Sequence, residues 1–285
     1  MVGFEVGVAD EQDWAEVVAW AAEEQWNPGL ADRAHFLAQD PDGFFLGRLD
    51  GCPVSAVSVV AYDDAYAFLG FYLVRPDLRG RGFGLATWRA GLEHAGSRTV
   101  GLDGVVGQQA NYRKSGFTFA HRTLRYSGVP TVSHSARAQS GDLVEVGEEA
   151  GVVHAVADYD SHCYPADRPE FVTRWVASPH HTAYACLRDG RVAGYGAIRP
   201  AHDGHRIGPL FADTAQDAAA LFDALAASAA GSPVMLDVPE PNQAGLALAK
   251  SRGLEEVFET ARMYTGPIRP LAGHKIFGAT TLELG

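Results

Sequence analysis

One order of predicted elements runs twice along this chain, and no other feature of the sequence limits the fold as much. Gly3–Ala9 reads as a strand, and Asp10 is placed to cap a helix reaching about Glu24. A short helix follows over Leu30–Gln39. Gly43–Leu49 and Pro53–Tyr62 form a hairpin by pattern around Asp50-Gly51, and Tyr66–Val74 is a further apolar strand. Gly82–His94 reads as helix, Thr99–Leu102 as strand, Gln108–Ser115 as a short helix and Phe117–Tyr126 as strand. The order then recurs: strand Leu143–Val146, helices from Glu148 and over Arg168–Ala177, and a hairpin of Thr182–Leu187 with Arg191–Ile198. Strand Arg206–Phe211, helix Ala215–Ala230, strand Val234–Val238, helix Asn242–Ser251 and strand Val257–Tyr264 complete it. A last strand is expected at Ala279–Leu284. Between the halves, Gly128–Gly141 loses periodicity and fills with Ser, Gly, Pro and Ala, as linkers do. The expectation is a tandem α/β (α+β) protein with an N-terminal unit over 1–127, a linker over 128–141 and a C-terminal unit over 142–285.

Composition narrows the partners. A formal charge of −12 argues against nucleic acid or an anionic membrane as the main partner, and 47% hydrophobic residues supply a core. The N-terminus has no basic and apolar signal segment, and no apolar run reaches the roughly 18 residues of a membrane span. Three distant cysteines (Cys52, Cys163, Cys186) form no disulfide framework. A cytoplasmic location is expected. The histidines show no metal-ligand spacing, so no metal is expected.

The sharpest motif is Val74-Arg75-Pro76-Asp77-Leu78-Arg79-Gly80-Arg81-Gly82-Phe83-Gly84-Leu85-Ala86, where a strand runs through an Arg/Gly loop into a helix. Glycines there let backbone N–H groups approach a ligand, and free amides at a helix N-terminus favour an anion such as a pyrophosphate. Arg79 and Arg81 add charge. The loop is not a Walker loop, because GxxxxGK[ST] is missing. It follows several strands rather than the first, so it does not fit a dinucleotide fingerprint either. The plain alternative is a glycine-rich turn that only starts a helix.

This pattern resembles motif A of the GCN5-related N-acetyltransferases (the GNAT family), and Tyr112-Arg113-Lys114-Ser115-Gly116-Phe117 resembles the family's Y-x-x-x-G-F. Glu24-Gln25-Trp26-Asn27-Pro28-Gly29, Asp40-Pro41-Asp42-Gly43 and Leu102-Asp103-Gly104-Val105 are similar to the YitH-type subfamily, whose members carry a second, divergent domain. The resemblance implies tandem folds, each with a mixed, mostly antiparallel central sheet flanked by helices. It implies that acetyl-CoA lies in the loop, with Leu73, Val74, Arg79, Gly80, Arg81, Gly82, Phe83, Gly84, Leu85, Gln108 and Lys114 as its contacts. Strands Tyr66–Val74 and Thr99–Leu102 should splay apart, and a backbone N–H near Leu73 or Val74 should polarise the thioester. Tyr112 is the expected proton donor to the leaving thiolate, with packing on a short helix as its other reading. The Asn common to the family seven residues earlier is Val105 here, and Gln108 or Gln109 is the candidate replacement.

The remaining assignments are thinner. Asp103 at a strand end is the first candidate for general base, against a role capping the turn at Gly104. Trp26 and Asn27 sit where this fold meets its acceptor, although Trp26 could equally anchor the core. Tyr159, in the Tyr159–Tyr164 cluster, is an acceptor-side candidate, with a solvated connection as the alternative. In the second half the cradle position reads Leu210-Phe211-Ala212-Asp213-Thr214-Ala215-Gln216-Asp217: it has no glycine, and its carboxylates would repel a pyrophosphate. Ala249 stands where the tyrosine should be. Only the first half should therefore bind acyl-CoA, leaving the second to shape the acceptor pocket or a homodimer surface. The expected activity is acetyl transfer from acetyl-CoA to a primary amine of a small molecule or peptide, by direct attack in a ternary complex. An acyl-CoA sensor without transfer activity, or a modifier of protein lysines, are the alternatives.

Overall fold

The computed structural model describes residues 3–131, 141–148, 150–229 and 231–285; most of the expected linker, 132–140, lies outside these residues. In the first half, β1 (Phe4–Val8), α1 (Glu11–Glu23), α2 (Asp32–Gln39), β2 (Phe44–Leu49), β3 (Cys52–Ala61), β4 (Tyr66–Val74), α3 (Phe83–Ala95), β5 (Thr99–Val105), α4 (Gln109–Lys114) and β6 (Thr118–Gly128) follow one another. In the second half, β7 (Asp142–Glu145), α5 (Ala150–Asp160), α6 (Pro169–Val176), β8 (Thr182–Arg188), β9 (Arg191–Pro200), β10 (His205–Ala212), α7 (Ala215–Ser228), β11 (Val234–Pro239), α8 (Gln243–Ser251) and β12 (Glu255–Tyr264) repeat that order. A short β13 (Ile276–Gly278) comes last.

Local chemistry explains the boundaries. Asp10 caps α1 in a reciprocal box with Asp13: Asp13 N–H donates to Asp10 Oδ1 at 2.7 Å and Asp10 N–H to Asp13 Oδ2 at 3.2 Å. Trp14, Val17 and Ala21, spaced by three and four, form the buried face of that helix. Both hairpins turn on Asp-Gly pairs with positive φ, Asp50-Gly51 at 51° and 83° and Asp189-Gly190 at 52° and 73°.

All thirteen strands belong to one sheet, in the order β1-β2-β3-β4-β5-β12-β6-β11-β10-β9-β8-β7, with β13 on β10. The halves exchange their final long strands. β12 inserts between β5 and β6, and β6 pairs with β11 of the second half. Among the described residues only β4–β5 and β10–β11 pair in parallel. On one face, α1 and α2 share a core with α5 and α6, where Phe36 stacks on Trp175 at 6.3 Å and Trp14 meets Phe71 edge-on at 5.5 Å.

The chain end departs from expectation. A strand forms at Ile276–Gly278, not at Ala279–Leu284, because β10 offers an open edge only there: Leu210 pairs with Gly278 and Phe211 with Ile276. Beyond it the tail runs buried without ladder partners, and side chains meet its carbonyls instead. Arg199 Nη2 donates to Thr280 O at 3.4 Å, and Tyr62 and Tyr164 hydroxyls donate to Leu284 O at 2.9 and 2.7 Å.

Because strands, helices and tail interlock, the halves should unfold together. Scanning calorimetry is expected to show one transition with equal calorimetric and van't Hoff enthalpies; two separable transitions would contradict the shared core.

Candidate active site

The site begins where two parallel strands part. β4 and β5 pair only from Tyr66–Leu69 to Thr99–Leu102. Beyond Leu69, β4 stays paired with β3 and β5 with β12, each on the edge facing away from the other. The break coincides with a bulge in β4: Ser58 faces Gly70, Ala56 faces Leu73, and Phe71 takes φ 46°. A cleft of about 500 Å³ fills the opening. Arg75 N–H donates to Val54 O of β3 at 3.0 Å, so strand alternation turns the polar groups of Leu73 toward β3 and those of Val74 toward the cleft.

The glycine-rich loop closes one end. Gly80 and Gly82 hold φ of 77° and 90°, a region that L side chains rarely occupy. No side chain caps α3 behind them, so the first-turn N–H groups stay available for an anion. A Cβ on Gly84 would lie 2.7 Å from the Tyr72 hydroxyl and 2.5 Å from Val74 Cγ2, so only glycine allows α3 to start this close to β4.

Tyr112 forms the floor. Its ring stacks on Trp88 at 5.6 Å and 18° and lies over Gly104, where a Cβ would come within 2.2 Å of Tyr112 Cε2. Burial, with Tyr72 beside it, pushes the phenol well above its usual value near 10. A group so placed stays protonated at any ordinary pH and serves as a hydrogen-bond donor.

The other end of the cleft is built at the seam of the halves. Arg125 on β6 makes a bidentate pair with Asp237 on β11, Nε–Oδ1 at 2.7 Å and Nη2–Oδ2 at 3.0 Å, and its Nη1 donates to Trp26 O at 2.6 Å. Arg206 Nη2 donates to Asp237 Oδ2 at 2.8 Å, and Arg206 Nη1 meets both oxygens of Glu283 at 3.1 and 3.3 Å. All four are buried. Burial alone would raise the Asp237 carboxyl, but Arg125 and Arg206 outweigh it and hold it down at about 2.

Leu73, Val74, Arg79, Gly80, Gly82, Phe83, Gly84, Leu85, Gln108, Tyr112, Asp103 and Trp26 all line this cleft. Four expected residues are not among its lining. Arg81 lies over the Phe83 ring at 5.4 Å, and Lys114 is exposed and bonded to Asn111 Oδ1 at 3.3 Å. Asn27 turns away to the Asp203 carbonyl at 3.0 Å and takes an Arg206 donor on its own carbonyl at 3.3 Å. Tyr159 is buried in the second half, donating to Asp213 Oδ1 at 2.8 Å and Ala193 O at 3.3 Å, so it is neither at the cleft nor on a solvated connection. Two lining residues carry partners that the sequence did not foretell. Arg79 is tied to Val74 O at 3.0 Å and to Glu24. Asp103 is fully buried, paired with Arg262 Nη2 at 2.5 Å and accepting from Thr123 and Thr260 at 3.3 and 3.4 Å. Arg125, Phe258, Thr260, Leu282 and Glu283 line the cleft without having been foreseen. Among them Arg125 carries a sequence signal, a charge inside an apolar strand (Leu124-Arg125-Tyr126), which its partner Asp237 shares (Leu236-Asp237-Val238).

Among the described residues the second half has no equivalent opening. β10 and β11 pair from His205–Ile207 to Val234–Leu236 and then separate, but β13 occupies the gap. At the start of α7, Asp217 accepts from Thr214 and Arg188, and Thr214 caps the helix. Among the described residues no group of three His, Cys, Asp or Glu side chains gathers to hold a metal, and no helix is long and apolar enough to cross a membrane.

Residues 8–117 match the acetyltransferase (GNAT) family, and residues 156–278 match an acetyltransferase (GNAT) domain. A holothin acyltransferase of Pseudoalteromonas sp. (strain SANK 73390) is 35% identical over 97% of this chain and 93% of its own length. Among solved structures, a putative acetyltransferase from Pyrococcus horikoshii superposes with a TM-score of 0.82 at 22% identity, covering 100% of this chain and 97% of that one. A tandem GNAT protein from the clavulanic acid biosynthesis pathway gives 0.62 at 18% identity, covering 93% and 99%.

The Asp237 carboxyl sits below its unfolded value near 3.9, so its pairing stabilises the fold above about pH 4 and the contribution is lost as pH falls through about 2. Denaturant titrations at about pH 5 and pH 2.5 should show a steeper loss of unfolding free energy in the wild type than in Asp237→Asn.

Proposed function

Since the chain belongs to the GNAT family and is an N-acyltransferase by that membership, we propose that it moves an acetyl group from acetyl-CoA to the primary amine of a small molecule in a ternary complex. The observation that carries this reading is the uncapped Gly80–Gly84 cradle opening into the split between β4 and β5, with Tyr112 at its floor. The holothin acyltransferase relative supports a small acceptor over a protein lysine.

In this reading residues 1–127 bind the coenzyme. The loop amides from Gly80 to Leu85 take the pyrophosphate, and Arg79 turns from Glu24 to join them. The pantetheine pairs with the cleft-facing groups of Val74, whose N–H stabilises the oxyanion that develops on the thioester. The amine nitrogen forms the C–N bond, the C–S bond breaks, and the proton leaves nitrogen through water. Tyr112 donates a hydrogen bond to the departing sulfur. Because its phenol is held above the thiol's usual range near 8.5, it stabilises the thiolate by that bond while the sulfur takes its final proton from solvent. Asp103 is engaged by Arg262 and two threonines, so it positions β5 against β12 rather than taking the amine proton. Residues 142–285 shape the acceptor end.

Calorimetric titration of acetyl-CoA should give one site per chain for the wild type and none for Gly82→Asp, whose carboxylate enters the cradle. Two sites per chain, or unchanged binding by the variant, would refute this placement of the coenzyme. Tyr112→Phe should lower kcat about 10²-fold with little change in acetyl-CoA affinity. An unchanged kcat would remove the phenol from the reaction.

A further inference from the structure

The tail after β13 crosses from one half of the molecule to the other, and two glycines make way for it. A Cβ on Gly208 would lie 2.3 Å from Thr280 O, and a Cβ on Gly70 would lie 2.0 Å from Glu283 O. Gly70 sits at the β4 bulge, beside the split that opens the cleft. The tail therefore delivers Leu282 and Glu283 to the wall opposite the glycine-rich loop.

Glu283 differs from the other carboxylates of the cleft. Asp103 has three partners, and Glu24 pairs with Arg79 at the coenzyme end. The Glu283 side chain is only 3% exposed, yet both of its oxygens share a single nitrogen, Arg206 Nη1. Two carboxylate oxygens offer about four lone-pair sites, so acceptor capacity is left over in a buried group that borders the cleft. The cleft it borders is lined by apolar Trp26, Phe71, Phe258 and Leu282, and the cation at this end of it, Arg125, is already paired with Asp237. A buried carboxylate gains most from a charged N–H donor, and apolar walls gain from a hydrophobic body.

We infer that Glu283 is the acceptor-binding carboxylate, and that the acceptor is a primary amine carried on a compact apolar body, selected by the tail. This rests on the reading of the same cleft as an acyl-CoA site, since it assigns the end that the coenzyme leaves open.

Benzylamine and its neutral isostere benzyl alcohol test the assignment. Both are titrated by calorimetry into the full-length protein, with and without saturating coenzyme A. The wild type should bind benzylamine at least about tenfold more tightly than the alcohol, and Glu283→Gln should bring the two within about twofold while coenzyme A affinity is kept. Leu282→Trp, which fills the apolar end, should weaken both probes at least about tenfold and spare coenzyme A. The inference fails if the wild type shows no saturable benzylamine binding or no preference for it. It also fails if Glu283→Gln keeps the preference; should that variant not fold, undiminished benzylamine binding by Leu282→Trp has the same meaning. Failure of the wild type to bind coenzyme A is a separate result and counts against the coenzyme reading instead.

Discussion

The pairing of β12 between β5 and β6 is the constraint on which the rest of the molecule depends. A parallel pair that parts would leave two open edges. Here β5 parts from β4 after Leu102, while β12 on its opposite edge stays paired with it out to Val105. The cleft lies where the facing edges of β4 and β5 separate, and the second half braces one of its walls from behind. The same exchange carries β6 into the second half, where Arg125 can reach Asp237.

Two arginines and two carboxylates meet at that seam. Charges buried this deeply pay a desolvation cost that their attraction roughly offsets, so their net contribution to stability is small. What they supply is geometry. The bidentate Arg125–Asp237 pair fixes how β6 lies against β11, and the second nitrogen of Arg206 fixes the tail. Removing one member leaves its partner buried and unpaired, which typically costs about 3–5 kcal/mol. The Asp103–Arg262 pair does the same between β5 and β12.

Much of the fold was legible because its signals are local. The Asp10 cap, the two Asp-Gly turns and the apolar runs placed nearly every strand and helix, and their recurrence gave the duplication. The loop from Arg79 to Leu85 was legible for the same reason: helix initiation, positive φ and close approach are written in consecutive residues. The exchange of β6 and β12 leaves no such trace, since each strand keeps its pattern whichever neighbour it takes. The end of the cleft at the seam of the halves was unreadable on the same ground. Arg125, Phe258 and Glu283 come from three distant places and meet only through sheet order. Asn27 and Tyr159 show the converse: both are polar groups in suggestive loops, and both are consumed by buried hydrogen bonds elsewhere. Asp103 was expected at the end of a strand closing at Leu102, but β5 runs on to Val105, and its engagement with Arg262, 159 positions away, could not be read from its neighbours.

The tail is held through its backbone and through three of its side chains: Thr280 accepts from Arg168, Thr281 from the Leu284 N–H and Glu283 from Arg206. Thr280 and Leu284 are gripped through their carbonyls by Arg199, Tyr62 and Tyr164, and Gly70 and Gly208 admit the chain whatever side chains it bears. Leu282 lies between these ties and makes none of them, so it can change without undoing the anchors on either side. Substitutions at Leu282 can thus redraw one end of the cleft while the glycine-rich loop, tens of residues of strand and helix away, is untouched. The second half's own opening is stopped by β13, and the chain that runs on past it reaches the cleft of the first half. One end of the cleft is thus drawn by the last residues of the fold and the other by the loop between β4 and α3, so that each can be altered without the other.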